Sequence, residues 1–187
     1  MVRLCDGCLG LKSVIEWGLC RSCHRDILRQ LDNGMVTIGK GEERILGYCF
    51  FRYGGLVRDM ILRGKLYREE RAWQALMRIV LSQIALEHLM PWSHVVMAAP
   101  PSVMGKLRGQ YDISYLWART LAQSWQKSFV RWPLLFPLTQ ANKRMKTVLQ
   151  QPVLLVDDVL TTGQTLLKTR QKLKYPQMRF LVIARSR

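Results

Sequence analysis

The sequence predicts an α/β fold, with a mostly parallel sheet flanked by helices and a small four-cysteine module ahead of it. Three observations predict it. Short apolar runs that suit buried strands alternate with stretches of helical periodicity. Four of the five cysteines fall within the first 34 residues, in two Cys-x2-Cys pairs. The apolar run Val153–Val156 ends in two adjacent acids followed by a turn rich in threonine and glycine. A length of 187 residues with 49% hydrophobic content allows a small module plus one domain with a real core.

Residues 1–34 form the candidate module, with few large core residues. Thr37–Ile38 and Ile45–Tyr53 flank the charged turn at 39–43 and read as a β-hairpin that joins the module to the rest. Gly54-Gly55 breaks that pattern. Leu56–Leu62 and Arg71–Leu89 carry apolar residues at helical spacing, the second through Trp73, Leu76, Met77, Val80, Leu81, Ile84 and Leu86. Val95–Ala99 reads as a buried strand ended by Pro100-Pro101. Asp112 is placed to cap a helix running to about Gln126, with Ile113, Leu116, Trp117 and Leu121 on one face. Strand Val153–Val156, helix Gln164–Lys174 and strand Phe180–Ala184 complete the alternation.

The net charge of +16 points to a polyanionic partner, either nucleic acid or a phosphorylated small molecule. From Ile113 to Arg187 there are 13 Lys and Arg against two acids, Asp157 and Asp158. No apolar run approaches the ~20 residues that span a bilayer, and the N-terminus lacks a secretory core. The expectation is a cytoplasmic protein without membrane insertion. Its cysteines are then metal ligands or core thiols, not disulfides.

Cys5 and Cys8, then eleven residues, then Cys20 and Cys23 give two knuckles that each offer two thiolates to one ion. Together they make a closed, structural Zn²⁺ site, against the alternative of a redox pair. Gly7 and Gly18 suit the turns beside them. His24 reads as a surface residue, and Cys49, in the apolar run Tyr48–Phe51, as a core thiol.

Strand Val153–Val156 places Asp157 and Asp158 at its carboxyl end, the edge where open α/β sheets bind ligands. Adjacent carboxylates require a cation or hydroxyl donors. Thr161, Thr162, Gly163, Gln164 and Thr165 follow and open a helix, whose N–H groups and hydroxyls can cradle one phosphate. A phosphorylated sugar satisfies both halves. The competing readings are a nucleotide-hydrolase strand, which lacks its GxxxxGK[ST] loop here, and a plain helix cap.

Residues 153–166, VLLVDDVLTTGQTL, resemble the 5-phosphoribosyl-1-pyrophosphate (PRPP) motif of type I phosphoribosyltransferases. A four-cysteine ribbon ahead of such a domain resembles the ComF family of competence proteins. Tyr53-Gly54-Gly55 through Ile61 and Lys65 is similar to that family's segment between ribbon and core. The resemblance implies a zinc ribbon at 1–34 and a phosphoribosyltransferase-like domain at 35–187. It implies that Asp157 and Asp158 contact ribose hydroxyls, directly or through Mg²⁺, and that Thr161 to Thr165 hold the 5-phosphate. It also implies a cytoplasmic role in natural transformation, handling single-stranded DNA with a competence helicase as possible partner. An active phosphoribosyltransferase is the alternative. Cations for the pyrophosphate would be Lys106 and Arg108. His88 and His94 read as structural. Lys168, Arg170, Lys172 and Lys174, with Arg131, Lys143, Arg144 and Lys146, are the candidates for a DNA-backbone groove, and Trp132 and Trp125 for base stacking, with Trp125 read first as a core residue. The chain departs from the family around Ala99-Pro100-Pro101, at Arg108 to Ile113 and at Thr139 to Arg144.

Overall fold

The structure, a computed structural model, describes residues 2–82, 91–101, 107, 109–131, 151–173 and 177–186, with Glu16 described in its backbone alone. Its centre is a six-stranded sheet. The strands are β3 (Leu31–Ile38), β4 (Ile45–Arg52), β5 (Val95–Ala98), β6 (Ser128–Val130), β7 (Val153–Leu160) and β8 (Met178–Arg185), in spatial order β3-β4-β8-β7-β5-β6. Five of them run parallel, and β3 pairs antiparallel with β4 at one edge. The chain is thus α/β with a mostly parallel sheet. The α-helices of two turns or more among the described residues are α1 (Arg21–Leu28), α2 (Gly55–Tyr67), α3 (Glu70–Leu81), α4 (Ile113–Ser124) and α5 (Gln164–Leu173). A separate two-stranded ribbon pairs β1 (Val2–Leu4) with β2 (Leu11–Ser13).

Side-chain alternation explains the layering. Val96, Ala98, Leu154, Val156, Leu181 and Ile183 are buried with residues of α2, α3 and α4. Their neighbours Val95, Met97, Val153, Leu155, Phe180 and Val182 are buried with Leu166 of α5 on the other face. Strands covered on both faces must be apolar at every position, as these runs are. Each such aliphatic side chain contributes about 1.5–3 kcal/mol on burial. α4 buries Ile113, Ser114, Trp117, Ala118, Leu121 and Ala122, two rows at four-residue spacing.

Several elements differ from the sequence expectation. β7 does not stop at Val156. It continues through both acids to Leu160, because β8 is long enough to pair with it as far as Arg185. α2 runs on to Tyr67 through Gly64, whose lack of a Cβ lets Ile113 and Trp73 pack against it. β3 begins at Leu31, well before the expected Thr37. Residues 83–89 of the expected second helix, with Ile84, Leu86 and His88, lie outside the described residues. Cys49 is fully buried, as expected of a core thiol. His24 is half-buried, its ring lies 4.9 Å from that of Trp17, and it is not part of the clustered four-cysteine group. Among the described residues, no helix is long and apolar enough to cross a membrane.

Candidate functional site

The sheet itself opens a gap at its carboxyl edge. β5 last pairs with β7 at Ala98 and Val156, and Pro100-Pro101, of which neither residue has a backbone N–H, follows. β7 runs on beside β8. The space left past the end of β5 is an open cavity of about 180 Å³. Lys65, Pro100, Pro101, Asp112, Ser114, Asp157, Asp158 and Thr165 are among the residues that line it.

The two acids acquire different partners. Asp157 Oδ1 accepts from the Ser114 hydroxyl at 3.0 Å and from the Asp158 N–H at 2.9 Å. Asp158 Oδ1 accepts from the Val159 N–H at 2.8 Å, and Asp158 Oδ2 is ion-paired with the Lys65 ammonium. Asp158 is buried, whereas Asp157 and Lys65 are half-buried. Alternation breaks here, since Val156 and Val159 both pack with the α2–α4 cluster. Burial, and then the charge of Asp158, push the Asp157 carboxyl well above the ordinary carboxylate range; its hydrogen bonds and Lys65 offset this only in part. Burial pulls the Lys65 ammonium down, but Asp158 and Asp157 outweigh it and the net direction is up. Asp112 caps α4 by accepting from the Tyr115 N–H at 2.9 Å, as its sequence position suggested. Its carboxyl is raised by burial, which that hydrogen bond only partly offsets.

The turn after β7 is built around Gly163, which is buried at φ +73° with Ile38 against its Cα. An L side chain at that φ is strained, so glycine is required for the backbone path. Ile38 of β3 is what lies close to this glycine. Thr165, in the first turn of α5, lines the cavity. Thr161, Thr162 and Gln164 are exposed on the adjoining turn, with the Gln164 N–H donating to Thr162 Oγ1 at 3.4 Å.

The four cysteines form a second site. The Sγ atoms of Cys5, Cys8, Cys20 and Cys23 all lie within 4.8 Å of one another. Tetrahedral Zn²⁺ with Zn–S bonds of about 2.3 Å requires sulfurs roughly 3.8 Å apart, so the cluster fits a thiolate-bound ion with little adjustment. The Cys20 N–H donates to Cys5 Sγ at 3.1 Å and the Gly7 N–H at 3.4 Å, contacts that favour a thiolate. Burial raises the Cys20 thiol, but hydrogen bonds from Ser22 and from neighbouring cysteines bring it below its ordinary value. Cys23 is pushed up, first by burial and then by those neighbours. Four adjacent thiolates repel one another, and a shared cation removes that conflict. Among the described residues this is the one group of three or more His, Cys, Asp or Glu close enough to hold an ion.

The knuckle is fastened to the helices. Arg63 of α2 donates to the Asp6 and Gly7 carbonyls at 2.9 and 2.5 Å, and Arg78 of α3 pairs with Asp6 Oδ2 at 3.2 Å.

The sequence gives no sign that Lys65 and Ser114 line the cavity, and Asp112 reads there as a helix cap within the segment Arg108 to Ile113 that departs from the family. A serine beside a helix cap and a lysine in a helix carry no local signal of a distant partner. Of the candidate DNA-contacting residues, Lys143, Arg144, Lys146, Lys174 and Trp132 lie outside the described residues, as do Lys106 and Arg108 and the segment Thr139 to Arg144. Lys168 and Lys172 are exposed on α5. Arg170 instead donates to the Arg44 carbonyl at 2.7 Å, and Arg131 stacks on Tyr115 at 4.9 Å. Trp125 is half-buried against the core.

No family model matches this chain, and no curated protein matches it.

Proposed function

We propose that this chain is a ComF-type competence protein whose residues from β3 onward form a type I phosphoribosyltransferase-like domain that binds PRPP with Mg²⁺. The residues ahead of β3 are its structural zinc ribbon, and its place is the cytoplasm, where it handles single-stranded transforming DNA with a helicase partner. One observation carries the reading. Asp157, Asp158 and Thr165, three residues of the acid-and-threonine motif, line a single cavity at the carboxyl edge of parallel strands. Carboxylates there suit ribose hydroxyls, and the N-terminus of α5 suits a phosphate. Mg²⁺ would arrive with the phosphates of the ligand, as that ion commonly does. The basic balance of the chain, +16, supports a polyanionic partner.

Calorimetry with PRPP and Mg²⁺ tests the binding. Asp157→Asn with Asp158→Asn is expected to abolish it, and transformation frequency of the same double variant tests the competence role. Absence of PRPP binding by the wild-type chain would sink the reading.

The cavity also supports a second reading, phosphoribosyl transfer to an acceptor. Asp157 lines it with raised proton affinity, a property suited to a group that takes up a proton during reaction. Release of pyrophosphate from PRPP on adding candidate acceptors is the measurement that separates transfer from binding.

A further inference from the structure

The acid pair is asymmetric. Both oxygens of Asp158 are engaged, one by the Val159 N–H and the other by Lys65. Asp157 has two donors on Oδ1, and its described hydrogen bonds leave Oδ2 for the cavity. Lys65 reaches the cavity from α2, an element that contributes no other lining residue. An ammonium carries three donors and no acceptor, so the contact with Asp158 leaves donors for a ligand.

We propose that Lys65, held in the cavity by Asp158, is the specificity-determining residue of this site and binds a ligand oxyanion. This rests on the phosphoribosyl reading and sharpens its substrate class. The preferred ligand is a ribose 5-phosphate that carries a second anionic group, apart from the phosphate at the N-terminus of α5. Three carboxylates line the cavity, Asp112, Asp157 and Asp158, and Lys65 is the one cation among its described lining residues. Without Lys65 the described lining would offer such a group no cation. With it, selectivity for the doubly anionic ligand is built into the wall.

The test is calorimetry on the full chain with PRPP and Mg²⁺ and, separately, with ribose 5-phosphate. The wild type is expected to prefer PRPP. Lys65→Met is expected to lose about 10- to 100-fold in PRPP affinity, the range of one charge-assisted hydrogen bond, and far less in ribose 5-phosphate affinity, so that the preference collapses. Asp158→Asn is expected to reproduce that loss. The double variant Lys65→Met with Asp158→Asn, which leaves no unpaired buried charge, is expected to be no worse than either single variant. Lys65→Arg keeps the charge and is expected to keep the preference. Asp157→Asn is expected to weaken both ligands alike. The preference between ligands is unaffected by simple loss of folded protein, so it distinguishes positioning from structural damage. Retention of the preference in Lys65→Met, or additive losses in the double variant, would overturn the assignment. Equal wild-type affinity for the two ligands overturns it while leaving the phosphoribosyl reading intact. Binding of neither ligand overturns both.

Discussion

At Asp157, burial and the neighbouring carboxylate favour the protonated form, and the bonds from Ser114 and the Asp158 N–H compensate incompletely. The folded chain therefore holds this proton more tightly than the unfolded chain, whose aspartate titrates near 3.9. The stability linked to it is fully present below about pH 3.9 and is lost as pH rises through the raised folded value. Asp157→Asn preserves an acceptor for Ser114 and removes the charge. It is expected to melt above the wild type at pH 8, by on the order of 1 kcal/mol or more, since a tenfold change in proton affinity is worth about 1.4 kcal/mol. The gap should narrow towards pH 4, and a gap independent of pH would contradict the assignment. Lys65 has the same sign at a higher pH: its raised value means the pair with Asp158 contributes fully below the ordinary lysine pKa and is lost only above it. At this scale the sequence was legible where chemistry is local. Two acids at the end of an apolar run, in an otherwise basic stretch, stand out. The ammonium that engages one of them comes from a helix far away in the chain, and no spacing rule connects the two.

The placement of α2 decides whether Lys65 reaches the cavity. Gly64, the preceding residue, is buried where α2 meets α4, and a Cβ there would lie 2.8 Å from Ile113 Cδ1 and 3.4 Å from Trp73 Cδ1. Alanine would gain about 1 kcal/mol in helix propensity. Overpacking costs about 1–3 kcal/mol, so Gly64→Ala is expected to come out neutral to destabilising by about 2 kcal/mol, and Gly64→Leu clearly destabilising. Thermal melting measures this, and reduced PRPP affinity in the leucine variant would show the displacement reaching Lys65. Elements with strong periodicity or a cap were legible in sequence: α3 as far as it is described, α4 behind Asp112, and the runs that became β5, β7 and β8. The short elements were not. β1, β2 and β6 have three residues each, too few to show a period. α1 buries only Cys23 and Ile27 and is otherwise charged and polar apart from the exposed Leu28, so it resembles a loop in composition. β7 was cut short in the reading because acids seldom continue a buried strand, and its extension depends on the length of a partner strand.

Across the whole molecule, the cysteine cluster and the helices share one buried core. Cys5, Leu19, Cys20, Cys23 and Ile27 pack with Met60, Ile61, Trp73 and Leu76, and Arg63 and Arg78 add polar links. A metal held by the four thiols therefore stabilises more than its own knuckles. Removing it with a strong chelator is expected to lower the midpoint of a single calorimetric transition by about 5 °C or more. Two separate transitions, with the later one unmoved, would show the ribbon to be energetically independent. The spacing of the cysteines revealed the cluster, but nothing in the first 34 residues indicates which surface it will press against. The order β3-β4-β8-β7-β5-β6 has a further consequence, in time and not in space. Of these six strands β8 is synthesised last, and it is the one that joins β4 to β7. Until Met178–Arg185 has been synthesised, β3-β4 and β7-β5-β6 are two half-sheets with open, apolar inner edges. The nascent chain must keep the β4 edge from other strands until β8 emerges, so the sheet closes through a long-range pairing.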